Sequence, residues 1–259
     1  MPKHSSLFLD LERSVLLIWR PTLKLAFILL AAAGIAFTGT ASCLAQTNFL
    51  GGVHFNVGFP RGDLKDNIER NAYGVSGQFF YAPQQSPLGI GLEVGYMNYG
   101  NEDRREPFSQ TIPDVTVNVE TSNNIVQSYL VLRVKNPGGS IQLYGDAVVG
   151  LNYLFTETKI SDSSHQDEEI ASSVNWDDTA LAYGFGGGIM IQVHNGESED
   201  GNPFHVLVDA GVRFLRGDEA EYLKKGSIRR KDGAVTFDSL HSRTDMLKLH
   251  VGVVFRFGS

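Results

Sequence analysis

Eight segments of this chain alternate a large apolar residue with a small or polar one, and from residue 46 onward no 18 consecutive residues are apolar. A period of two is the repeat of a β-strand with unlike faces, whereas a membrane-crossing helix needs about 20 apolar residues in a row. The first segment sets Val53, Phe55, Val57 and Phe59 against Gly52, His54, Asn56 and Gly58. The second sets Tyr73, Val75, Phe79 and Tyr81 against Ala72, Gly74, Ser76 and Gln78. The third sets Leu88, Ile90, Leu92, Val94 and Tyr96 against Gly89, Gly91, Glu93, Gly95 and Met97. Segments around Val126–Val134, 141–153, 183–193, 204–214 and 247–257 repeat the pattern. Eight strands of one type predict an all-β fold.

The character of the second face identifies the solvent. A soluble barrel turns its apolar face inward and shows water a surface rich in charge. Here the second face is mostly Gly, Asn and Gln with a few charges, which suits the narrow interior of an eight-stranded barrel. The large apolar face then belongs against lipid, giving an antiparallel up-and-down transmembrane β-barrel. Its lumen is expected to hold Glu93, Asp146 and Asp209 with Arg133, Arg213, Lys248 and Arg256. Charges in a narrow interior must be paired or hydrated, so they read as a salt-bridge plug, with a charge-selective ion pathway as the alternative. Asp209 and Arg213 share a strand face and are expected to cluster with Lys248 or Arg256.

The links between segments, 60–71, 82–87, 100–124, 135–140, 156–178, 194–203 and 216–245, contain 12, 6, 25, 6, 23, 10 and 30 residues. Long and short links alternate, as extracellular loops and periplasmic turns do in outer-membrane barrels. Phe59, Tyr73, Tyr96, Tyr153, Phe185 and Phe214 fall near the long-link ends, and Phe79, Tyr81, Phe204, Phe255 and Phe257 near the short-link ends. Two aromatic girdles are the interfacial signature of such barrels.

A targeting segment precedes the pattern. Lys3, Arg13, Arg20 and Lys24 are followed by an apolar run over 25–37 and a small-residue stretch ending at Ala45. This reads as a signal peptide over 1–45, cleaved after Ala45, with the barrel domain over 46–259; a retained N-terminal anchor is the alternative. Without residues 1–45 the chain keeps 18 basic and 27 acidic residues, a net charge of −9. That balance argues against a nucleic-acid partner. Its one cysteine, Cys43, falls inside the leader, so neither a disulfide framework nor a CxxC zinc site is expected, and no cofactor is indicated.

With its Gly-rich run Tyr183-Gly184-Phe185-Gly186-Gly187-Gly188 and its aromatic-ended last segment Val251-Gly252-Val253-Val254-Phe255-Arg256-Phe257, the chain resembles the small eight-stranded outer-membrane β-barrels, a superfamily that includes the OmpA transmembrane domain and OmpX. The resemblance implies a Gram-negative outer-membrane location and surrounding lipid and lipopolysaccharide as partners. It also implies that Phe255 and Phe257 form an assembly signal read by the barrel-insertion machinery. A bare barrel, with no peptidoglycan-binding domain, is implied as well. These families share a shape and not a site, so no functional residue carries over.

Other features are weaker. Arg61-Gly62-Asp63 and Arg216-Gly217-Asp218 read either as adhesion triplets or as turns where strands leave the membrane. The acidic run 162–169, with His165, matches no defined cation-site spacing. Lys224, Lys225, Arg229, Arg230 and Lys231 suit acidic lipopolysaccharide. His165, Ser239, His241 and Ser242 are the parts a lipid-modifying enzyme would use, but no nucleophile–base motif joins them. The expected function is a structural or cell-surface contact protein without an open pore, not an enzyme, acting on an extracellular ligand through its long loops. A narrow passive pore or an outer-membrane lipid-modifying enzyme are the alternatives.

Overall fold

The computed structural model describes residues 47–258 except 69, 84–85, 110–111, 137–138, 163–168, 198–202, 224–226 and 232–233. The signal-peptide reading of 1–45 and His165 therefore lie outside the described residues. Among those described, the strands are β1 (Thr47–Pro60), β2 (Ala72–Pro83), β3 (Leu88–Ser109), β4 (Ile112–Lys135), β5 (Ile141–Asp162), β6 (Glu169–Glu197) and β7 (Pro203–Gly217). Four short strands follow, β8 (Glu219–Tyr222), β9 (Ile228–Lys231), β10 (Ala234–Phe237) and β11 (Leu240–Arg243), and then β12 (Met246–Gly258). One helix, α1 (Gly62–Asn67), joins β1 to β2.

β1 to β7 and β12 close into an antiparallel ring, each stave beside its neighbour in sequence order. Closure pairs the first stave with the last, from Asn48 opposite Gly258 to Pro60 opposite Met246. The chain is an eight-stranded up-and-down β-barrel.

Burial alternates residue by residue, and the apolar set faces out. Val53, Val75, Val94, Leu143, Phe185 and Val251 are all exposed, while His54, Ser76, Glu93, Gln142 and His250 on the other face are buried. So many exposed large apolar side chains form a belt far larger than a water-facing monomer carries, and hydrocarbon is the solvent that accepts it. On β7 the belt runs from Phe204 to Phe214, ten residue steps. That is about 34 Å of strand, or roughly 25 Å of height at a tilt near 45°. Aromatic rings mark its edges. Phe49 stacks on Phe79 at 5.9 Å and lies 5.8 Å from Tyr81 at the turn end, and Phe185 meets Phe214 at 6.1 Å near the other end.

Two of the long links are not loops. β3 pairs with β4 as far as Ser109 opposite Ile112, and β5 with β6 as far as Ser161 opposite Glu169, so most of 100–124 and 156–178 is strand. β5 runs nine residues past Tyr153, about 30 Å of further strand. Polar side chains hold much of the ribbon, although Val117 and Val119 still alternate with Asn118 and Glu120. Tyr96 Oη donates to Asn124 Oδ1 at 2.7 Å and Thr156 Oγ1 to Asn123 Oδ1 at 2.7 Å. Thr121 and Thr158 hydroxyls meet at 3.1 Å, and Asn175 Nδ2 donates to Thr158 Oγ1 at 2.6 Å. Register shifts at Asn98/Gly100 and Thr156/Glu157 occur where these strands leave the ring. The link 60–71 contains α1, and 216–245 contains two small sheets, β8 with β11 and β9 with β10.

Candidate functional site: the lumen and its two ends

The lumen is built by the inward positions of all eight staves, and layers of different chemistry fill it. The central layer holds charge. Arg133 on β4 donates from Nε and Nη2 to the two carboxylate oxygens of Asp146 on β5, at 2.7 and 2.9 Å. Its guanidinium also lies 3.9 Å from the Tyr144 ring and 4.2 Å from Phe80. Arg213 on β7 reaches the same Asp146 carboxylate at 2.6 Å and also bonds Glu93 on β3. Lys248 on β12 shares Glu93 and donates to Gln127 Oε1 at 3.2 Å, with its ammonium 5.3 Å from the Tyr129 ring. Arg213 and Lys248 are 0% exposed, so side chains and not water occupy this level.

Asp209 belongs to a separate group. His54 Nε2 lies 2.9 Å from one carboxylate oxygen, and Tyr144 Oη donates to the other at 2.8 Å. His250 Nε2 is 2.8 Å from that same hydroxyl. A hydroxyl that gives its proton to Asp209 can only accept from His250, so the two imidazoles both carry hydrogen on Nε2. The structure thus brings Glu93, Arg133, Asp146, Arg213 and Lys248 into one network. Asp209 departs from the sequence expectation: its partners are His54, Tyr144 and His250, not Arg213, Lys248 or Arg256. The reason is register, since Asp209 stands opposite Gly252 and Met190 while Arg213 stands opposite Lys248. Arg256 lies apart, donating to Gln192 Oε1 at 2.7 Å.

The loop-end layer is apolar, and of its members the alternating pattern places only Ala72 and Met97 on the inward face. Leu64 of α1, Met97, Tyr99, Ile125, Leu154, Ala180, Ala220, Tyr222 and Met246 form a buried cluster against which Leu240 packs. Tyr99 and Tyr222 meet edge to face at 6.5 Å, and the Tyr222 hydroxyl accepts from Asn67 Nδ2 at 3.0 Å and contacts Ser242 Oγ at 2.7 Å. α1 and the β8–β11 pair therefore cap the bore. An amphipathic six-residue helix gives too little period to be read from sequence, although Leu64 and Ile68 have its spacing.

Among the described residues, Ser239, His241 and Ser242 are not brought together as a nucleophile and its base. On β11, His241 is exposed, 3.8 Å from Glu219, while Ser242 points inward to Tyr222, and Ser239 is exposed. Among the described residues, no group of three or more His, Cys, Asp or Glu is placed to hold a metal ion. Arg61, Gly62 and Asp63 are exposed, with Gly62 at φ +52°, where its lack of Cβ permits the turn into α1; Arg216 and Asp218 are exposed and Gly217 is buried. Of the basic run, Lys224 and Lys225 lie outside the described residues.

No family model and no curated protein matches this sequence. Solved structures to which the chain is similar include Ail, the attachment invasion locus protein of Yersinia pestis, in complex with the heparin analogue sucrose octasulfate. The identity is 15% and the TM-score 0.33, over 82% of this chain and 98% of that one. Neisserial surface protein A matches at 10% identity and TM-score 0.37, over 82% and 96% of the two chains. A major outer membrane protein of Thermus thermophilus matches at 15% identity and TM-score 0.38, over 82% and 99%. The assignment of the fold rests on the closed ring itself.

Proposed function

We propose that this protein is an exported outer-membrane barrel with a closed bore, acting at the cell surface through the structure it carries beyond the bilayer. The observation that carries this reading is the combination of a side-chain-filled, capped lumen with a four-stranded ribbon, β3 to β6, that outruns the other staves. A pore would need the bore, and an anchor would not need the ribbon. In this reading residues 1–45 are the cleaved leader, and Phe255 and Phe257 on the last stave are the assembly signal. Outer-membrane lipid and lipopolysaccharide surround the belt. The ribbon, with the segment between β7 and β12, meets an extracellular ligand.

The experiment replaces 102–121 and 158–173 by short turns, cutting both hairpins at paired positions and leaving the cap intact. Insertion and heat-modifiable gel mobility are expected to persist, while surface binding or any phenotype of a deletion strain is not restored. Full complementation by the trimmed barrel would defeat the proposal in favour of a purely structural barrel. Step-like conductance of the intact protein in planar bilayers would favour a pore.

A further inference from the structure

At mid-lumen the network and the neighbouring Asp209 group together are electrically balanced, with Glu93, Asp146 and Asp209 against Arg133, Arg213 and Lys248, three charges of each sign. Among the described residues, the turn end is not. Lys135 of β4 and Arg256 of β12 project inward there from staves on opposite sides of the ring. Lys135 is only 8% exposed, and its ammonium makes no hydrogen bond or ion pair with any described residue. Of the described charges, Arg256 and Arg133 act on it, both of its own sign, and the second already belongs to Asp146. Arg256 is half-buried and holds only the neutral oxygen of Gln192. His205, opposite Arg256 in the ladder, is tied through Nδ1 to Asn195 Oδ1 at 2.6 Å.

Two like charges held on facing walls of a narrow mouth repel each other, and an anion between them offsets that repulsion. We propose that this mouth binds a small oxyanion of the phosphate or carboxylate class, between Lys135 and Arg256. Arg256 supplies a planar fork that matches two oxygens at once, and Lys135 a point charge from the facing wall. The barrel wall separates both groups from the lipid belt, so the ligand enters from the aqueous phase at the turn end.

Calorimetric titration of inorganic phosphate into the purified folded protein, in neutral detergent at low salt, tests this. Saturable binding of one phosphate per chain is expected, weakened about tenfold or more in Arg256→Gln and again in Lys135→Met, as for loss of one charge-assisted bond each. Heat-modifiable mobility checks that each variant is folded. If Lys135→Met does not fold, the half-buried Arg256→Gln carries the comparison. Absence of saturable binding to the unaltered protein, the result expected if Glu199 or Asp200 of the adjoining turn supplied the counter-charge, would overturn the proposal. Equal binding by the variants would also overturn it. A short-chain phosphatidic acid titrated in the same way is expected to bind no tighter than phosphate; tighter binding would assign the site to a lipid headgroup and overturn the solute reading.

Discussion

Replacing Arg213 by methionine removes the one side chain that joins Glu93 to Asp146 across the lumen while keeping much of its apolar stem. Glu93 keeps Lys248 and Asp146 keeps Arg133, but each carboxylate loses one of its two cations at a level that is 0% exposed at Arg213 and Lys248. Removing one member of a buried ion network costs about 3–5 kcal/mol, because the partner's desolvation is no longer offset. With two carboxylates each retaining one cation, the lower end, about 3 kcal/mol, is expected. That is a large part of the roughly 5–15 kcal/mol of an ordinary domain. The assay is urea titration in lipid vesicles, with the folded fraction read from unheated gel mobility. The lipid-facing control Leu132→Met is expected to stay within about 0.5 kcal/mol of the parent. Adding Glu93→Gln to Arg213→Met strips Lys248 of its carboxylate, but the Glu93–Arg213 contact is lost only once, so the double loss is expected to fall about 1–2 kcal/mol short of the sum of the singles. An Arg213→Met loss no larger than that of the control, or a double variant weaker than the sum of its singles, would refute the balanced-layer argument.

Other outcomes follow from the same geometry. A Cβ on Gly186 would stand 2.2 Å from the Val212 carbonyl oxygen and 2.5 Å from Arg213 Cγ, so Gly186→Ala should lower the yield of heat-modifiable barrel. Gly51→Ala, with no atom within 4 Å of the added carbon, should leave it unchanged. Val53→Arg, at a belt position 66% exposed, should cost up to about 2–4 kcal/mol in vesicles, the value for the bilayer midplane. Leu64→Asp places a charge in the cap and should destabilise the loop end, read as faster proteolysis of 61–71 while the barrel stays heat-modifiable.

The belt, the strand count and the inward face were legible because lipid imposes one rule on every stave: what points outward must be apolar. Val53 and His54, or Leu92 and Glu93, need no neighbour to declare their faces. Beyond the bilayer that rule lapses, so the polar ladder of Asn123, Asn124, Thr156 and Thr158 looked like loop although it is strand. The lumen charges could be placed inside, but which of them meet depends on shear between staves. Period gives no information on shear, and that is why Asp209 finds His54 and Tyr144 instead of a neighbouring cation. The cap was hidden for a related reason: Leu64, Tyr99 and Tyr222 come from three distant parts of the chain.

The central claim, that the alternating face meets hydrocarbon, is tested most directly by spin labels. The chain's only cysteine, Cys43, precedes the barrel, so single cysteines can be placed along β3 from 88 to 97 in the chain beginning at 46. In vesicles, collision with oxygen should be high at 88, 90, 92, 94 and 96 and low at the five positions between, with a water-soluble nickel reagent excluded from the first set. Uniform accessibility along the strand, or nickel access at Leu92 and Val94, would contradict a lipid-facing belt.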